Sequence, residues 1–464
     1  MSAEGGRRLS LRTLAAARVL AVPTYDRAAV PALVHVGVGA FSRAHLGVYA
    51  DALLRDGWPA TIRGVSLHSR RAEEQLAPQD GLYTVTEREP ARRTPGRVIG
   101  AMTSVGTGAE AAIDAIAAPT TKLVTLTVTE KGYEVEPGLS ADPTASPTAA
   151  AVVARGLAAH RTAGTPPPTI ASLDNVLDNG HVLRERVLQV AQELDPDLAH
   201  WIADVVPFPS SVVDRMVPAT TPADLAEIRA QLGLVDLAAT VTEHHRSWVI
   251  ADEGDLPPLA DVGVEVVRDI APFQQRKLWL LNGPHSAVAY CGLLVGRPTI
   301  ALALGDGAVA AFVRRLVDEI LEVTDLPAAL GASGFATDAL RRFENPGLGH
   351  TCTQVATDGS RKLPQRLLPV VAARRQRELA TTNFALVVAI WIAAVSGLAG
   401  PGLTLTPVDD PAGPELVDAA AGGDLGHLAH VALSGWNDPT FDGEVATALG
   451  RLRLEGRTVL ERSR

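Results

Sequence analysis

Apolar and polar positions follow two regimes along the chain. In the first half, short β-branched runs end in glycine or Asx breaks and are followed by amphipathic stretches. Leu33-Val34-His35-Val36 reads as a buried strand entering Gly37-Val38-Gly39-Ala40-Phe41-Ser42, and residues 45–56 read as a helix stopped by Gly57. Further strands are expected over residues 61–67, 123–129 and 169–173, with one helix over 149–160 and another that follows Asp178-Asn179-Gly180 and runs to Glu193. Residues 206–215 read as a proline-restrained loop, and 256–267 as extended. From Asp269 the pattern is mainly helical, with runs over 308–323, 338–342, 365–380, 384–396 and 443–464, and a polar, turn-forming connection over 354–362. The change of regime sets a domain boundary near Asp269, giving domains over 1–268 and 269–464 of an α/β protein.

The 464 residues suffice for two domains, each with its own core. A composition of 47% apolar and 20% charged residues is that of a globular protein. The net charge of -10 argues against a nucleic-acid or anionic-membrane partner, so an anionic substrate would need a local basic cluster. Cys291 and Cys352 make neither a disulfide framework nor a zinc site, and they fit a reducing cytoplasm. Arg12 and Arg18 interrupt what would have to be a signal core, and the apolar run over 384–400 reads as a buried helix.

The first candidate chemistry lies after the first strand. A glycine turn between strand and helix can receive a dinucleotide pyrophosphate, which makes Gly37, Gly39, Ala40, Phe41 and Ser42 candidate cofactor contacts; the same turn also serves as a plain βα connection. Ser42 replaces the third glycine of the fingerprint. After the second strand comes His68-Ser69-Arg70-Arg71, where an acid would hold a free ribose 2′-hydroxyl. Arg70 and Arg71 lean towards NADP, or towards accepting NAD and NADP alike; alternatively they begin a solvated helix with Glu73 and Glu74. The turn with Glu130 and Lys131 should border the cofactor, and Asp174-Asn175 sits at the same ligand-bearing edge.

A second candidate is Lys277-Leu278-Trp279-Leu280-Leu281-Asn282-Gly283-Pro284-His285, which sets ionisable and polar groups into an apolar run. On a uniform helix Asn282 lies about 140° and His285 about 80° from Lys277, so the three can converge, with Gly283 and Pro284 loosening the helix there. A desolvated lysine can take a hydroxyl proton while Asn and His hold the oxygen as it becomes a carbonyl. The other reading is a capped helix with polar residues at a domain surface. The boundary puts Lys277 on the helix joining the halves. The segment around Gln354 and Lys362 can hold a carboxylate or several hydroxyls, or be a solvated loop. Asp214 and Arg215 can be a surface salt bridge.

In order, Gly37-Val38-Gly39-Ala40-Phe41-Ser42-Arg43-Ala44-His45, Gln79-Asp80-Gly81-Leu82-Tyr83, Thr129-Glu130-Lys131-Gly132-Tyr133, Asp174-Asn175, residues 208–218 and residues 277–285 make the chain resemble the mannitol dehydrogenase family. These are polyol-specific long-chain dehydrogenases, and they include mannonate oxidoreductases (fructuronate reductases). The resemblance implies a Rossmann-type N-terminal domain, a mostly α-helical C-terminal domain, and zinc-independent, metal-free oxidation of a CH–OH group with NAD or NADP. The implied partner is a small polyol or sugar acid. It implies Lys277 as general base, Asn282, His285 and Asn175 on the reacting oxygen, and Asp214 and Lys362 on substrate hydroxyls or a carboxylate.

The chain departs from relatives at several points. Ser42 stands where relatives often have His, and Gln274 where some carry an acid. His244 and His245 replace a usual Pro-Phe, and Gln354 an Arg of mannitol-specific relatives. Gln354, together with Lys362-Leu363-Pro364-Gln365-Arg366, resembles the mannonate and fructuronate branch. Two other functions stay open: a 3-hydroxy-acid dehydrogenase of the 6-phosphogluconate type, and a non-catalytic dinucleotide sensor.

Overall fold

Four consecutive buried residues, Leu33–Val36, form the central strand β1 of a sheet covered on both faces. In the computed structural model, the described residues are 6–19, 21–30, 32–89, 92–93, 96–128, 148–400, 403 and 405–461. The other strands of this sheet are β2 (Ile62–Ser66), β3 (Met102–Thr107), β4 (Leu123–Leu126) and β5 (Thr169–Ser172). All four pairings are parallel, in the order β3-β2-β1-β4-β5, and Val36 stands between Val65 and Leu126. This is the doubly wound, Rossmann-like order, which reverses between β1 and β4, and ligands bind beyond the strand ends at such a reversal.

The chain divides into two compact units, Met1–Ala271 and Pro272–Arg464. In the first, helices Ala149–Thr162 and Asn179–Leu194 pack buried alanines, valines and leucines against Val34, Val124 and Ile170 of the sheet. The second unit is mostly helical. Its helix Thr382–Ser396 is buried from Asn383 to Ser396, which explains the unbroken apolar run read there. Among the described residues no helix is long and apolar enough to cross a membrane.

Three local expectations are corrected. Residues 206–215 contain a strand, Ser211–Asp214, which pairs antiparallel with Ser247–Ala251. Its partner is distant in sequence, so the prolines before it concealed the strand. Residues 256–267 are not uniformly extended, because Leu259–Val262 forms a 3-10 turn before strand Glu265–Val267. Residues 354–362 are not a loop but parts of two helices, Cys352–Ala356 and Gly359–Arg366, parted by Asp358 at φ 55°. The Thr351 and Gln354 side chains complete a capping box there, a T-x-x-Q signal present in the sequence.

Candidate active site

One candidate group is built on the sheet reversal of the first unit. Gly37 has φ +100°, and a Cβ there would lie 2.0 Å from the Thr127 carbonyl oxygen, so this glycine is required by the protein itself. Gly39 is different: a Cβ would meet only the Gly37 oxygen at 3.9 Å. The missing side chain therefore keeps a cradle open, as close approach of a pyrophosphate requires. Ala40 begins the short helix α1 (Ala40–Ala44). The Ser42 hydroxyl accepts from the Gly39 N–H at 3.0 Å and donates to the Gly39 carbonyl at 3.2 Å, so it braces the turn from within. Phe41 stacks on His45 with centroids 5.0 Å apart.

Beneath this turn His35 is wholly buried. Its Nδ1 lies 2.9 Å from the Thr125 hydroxyl, and its Nε2 3.0 Å from that of Thr127 and 3.2 Å from the Gly37 carbonyl. Burial pushes its pKa down to about 4, so a neutral ring ties β1 to β4 where the sheet order reverses.

A cavity of about 320 Å³ opens beside the turn, lined by Gly39, Ala40, Arg43, Ser66, Ser69 and Arg71 among others. Its size suits a nucleoside-sized fragment at the small end of ligand pockets. Of the two arginines singled out from sequence, Arg71 lines the cavity, whereas Arg70 is the exposed N-cap of helix α2 (Arg71–Leu76) and does not. Glu130 and Lys131 lie outside the described residues.

At the end of β5 the Asp174 carboxylate accepts from the Val128 N–H at 3.0 Å. Asn179, which the sequence reading did not single out, donates to the Asp174 and Ser211 carbonyls at 2.9 and 3.0 Å. These bonds fix the turn carrying the exposed Asn175 to strand Ser211–Asp214, whose last residue is the candidate Asp214. Asp214 and Arg215 are not a surface salt bridge, being only 8% and 5% exposed. Asp214 lies 3.3 Å from His245 Nε2, and Arg215 2.6 Å from Glu87. Burial alone would raise the Glu87 carboxyl, but His244 and Arg215 hold it below its usual value.

The candidate group of the second unit is helical. Lys277 closes α3 (Ala271–Lys277), and Leu278–Asn282 forms one π-helical turn before α4 (Gly283–Leu294). The Gly283 N–H bonds the Leu278 carbonyl five residues back, one residue further than in an α-helix. Counting the wide turn as one extra residue, Asn282 and His285 fall at the fourth and seventh helical positions after Lys277, about 40° and 20° from it. The π turn thus draws together on one meridian three residues that a uniform helix would spread over about 140°. Sequence reasoning named the residues but not this device.

The wide turn is held by its neighbours. A Cβ on Gly283 would stand 3.0 Å from the Arg366 carbonyl oxygen and 3.2 Å from Leu367 Cδ2, so any side chain there would press the end of helix α5 (Gly359–Arg366) back by a few tenths of an ångström. Arg366 Nη1 donates to the buried Ser286 hydroxyl at 3.0 Å. Asn282 is 5% exposed, whereas Lys277 and His285 are half-buried. His285 stacks on Phe343. On α5, Lys362 donates from Nζ to the Thr357 carbonyl at 2.6 Å. Gln354 is exposed and turned onto its own helix start, its Oε1 accepting from the Thr351 N–H at 3.4 Å. Among the described residues no three His, Cys, Asp or Glu side chains group closely enough to hold a metal ion.

Residues 31–258 match the mannitol dehydrogenase Rossmann domain, and 269–449 the mannitol dehydrogenase C-terminal domain. The chain is 38% identical to the D-mannonate oxidoreductase of Escherichia coli (strain K12), over 84% of its own length and 85% of that protein's. It is 34% identical to a mannitol 2-dehydrogenase of Cereibacter sphaeroides, over 86% and 88%. Its structure matches Pseudomonas fluorescens mannitol 2-dehydrogenase, solved as a ternary complex with NAD and D-mannitol, with a TM-score of 0.88, 28% identity and 98% of each chain covered.

Proposed function

Since this chain belongs to the mannitol dehydrogenase family, we propose that it is an NAD(P)-dependent oxidoreductase of the mannitol or mannonate type. It interconverts a sugar alcohol or aldonate with its ketose or keto-uronate. The observation carrying this reading is the π turn, which gives Lys277, Asn282 and His285 a common helical meridian. When bound, the dinucleotide supplies hydride acceptance and donation at its nicotinamide ring. In the oxidative direction the neutral Lys277 amine takes the hydroxyl proton, while Asn282 and His285 hydrogen-bond the same oxygen as the carbonyl forms. Asn175 adds a further bond to that oxygen, and Asp214 and Lys362 hold the remaining hydroxyls or a carboxylate. Gly37, Gly39, Ala40, Phe41 and Ser42 form the cradle for the pyrophosphate. No step calls for a metal.

The sugar-acid end of this range is favoured by Lys362 on α5 and by the 38% identity to a D-mannonate oxidoreductase. The test is absorbance at the nicotinamide band with mannitol, arabinitol, mannonate and fructuronate, each with NAD(H) and NADP(H). Turnover of at least one is expected. Tight cofactor binding with no turnover of any would replace the enzyme by a sensor.

A further inference from the structure

Arg43 is an unusual residue in the first unit: a guanidinium only 8% exposed, on the helix that follows the glycine turn. Its Nε is buried and has no hydrogen-bond partner among the described residues. Burial, and to a smaller degree the like charge of Arg71, disfavour its cation, while Tyr83 and Asp236 act the other way. Asp236 already accepts from the Gln79 side chain at 2.8 Å and from the backbone N–H groups of Thr84 and Ala238 at 2.6 and 2.9 Å. Arg43 and Arg71 both line the cavity beside Gly39. The other polar side chains there are Ser66, Ser69, Gln75 and Thr220, and no carboxylate lines it. Glu73, the nearest acid along α2, instead accepts from the Thr107 hydroxyl at 2.7 Å. A ribose with a free 2′-hydroxyl is ordinarily met by an acid at the end of the second strand. Here that place has donors and two cations, a setting that favours a dianion.

We propose that Arg43 and Arg71 form a clamp for the 2′-phosphate of NADP(H), with Arg43 as its buried arm and Arg71 as its exposed one. This rests on the dinucleotide reading of the glycine turn. The clamp makes the chain prefer NADP(H) over NAD(H).

Isothermal titration of the full chain with adenosine 2′,5′-bisphosphate and with 5′-AMP isolates the 2′-phosphate from the pyrophosphate and nicotinamide. The bisphosphate should bind roughly 10- to 100-fold more tightly, the range for a charge-assisted contact. Arg71→Ala should remove most of that margin while leaving 5′-AMP unchanged. Arg43→Lys, which keeps the charge in the buried position but loses the planar fork, should reduce it in part. Equal binding of the two fragments, or equal losses for both in Arg71→Ala, would overturn the clamp, the latter by assigning the arginine to the 5′-phosphate. NADH and NADPH titrated alongside separate the two readings. Binding of both without discrimination sinks the clamp alone, whereas binding of neither sinks the dinucleotide site with it.

Discussion

The His285 imidazole lies face to face with Phe343, with ring centroids 4.5 Å apart and planes 13° from parallel. Phe343, only 3% exposed at the end of helix Ala332–Phe343, sets the plane in which His285 offers its nitrogens. A stack of this kind contributes about 0.5–1.5 kcal/mol beyond burial. Phe343→Leu should therefore lower kcat roughly three- to tenfold with the cofactor Kd unchanged. Steady-state kinetics and a cofactor titration check this, and an unchanged kcat would free His285 from its dependence on the ring.

Gly283 carries the closest approach to the π turn. In Gly283→Ala the new methyl meets the Arg366 carbonyl oxygen at 3.0 Å, and because that oxygen is backbone it yields little. Stability should fall by about 1–3 kcal/mol, with kcat falling as the turn shifts. Thermal unfolding and turnover measured together decide it, and a variant with wild-type values of both would show that the approach has slack.

Lys362 donates to the Thr357 carbonyl through one of its three ammonium hydrogens. If the sugar-acid reading holds, Lys362→Met should raise KM for mannonate roughly tenfold or more and that for mannitol much less. The opposite ranking would argue against a carboxylate at this position.

His35 predicts a pH dependence of stability. Its folded pKa, pushed down to about 4 by burial, lies below the ordinary value of 6.5, so the unfolded chain takes up the proton first. Its effect is flat above about pH 6.5; stability then declines as pH falls towards 4 and levels off below that. The loss amounts to at most about 3 kcal/mol. Urea unfolding between pH 7.5 and 4.5 should show this slope in the wild type and lose it in His35→Gln. Identical slopes would assign the acid sensitivity to other groups.

The parts of this molecule legible from sequence are those where one local signal decides. The glycine turn, β1 and the helix over 382–396 follow from runs of apolar residues and a forced φ at Gly37. Strand Ser211–Asp214 was not legible because its partner lies more than thirty residues on, at Ser247–Ala251. The π turn has no composition of its own; Gly283 and Pro284 announced an irregularity, but its kind depends on the Arg366 backbone packing against it. Arg70 and Arg71 are equivalent in sequence, and only the fold turns Arg71 towards the cavity. Arg43 stands in the motif over 37–45, but its burial was not legible, because nothing local marks an arginine for burial.

The central claim is that Lys277, set in line with Asn282 and His285 by one wide helical turn, acts as the base on the alcohol. It is tested most directly by the kcat of Lys277→Ala with the best substrate of the panel. A fall of at least about 100-fold, with the cofactor Kd nearly unchanged, is the predicted result. A kcat close to that of the wild type would contradict it.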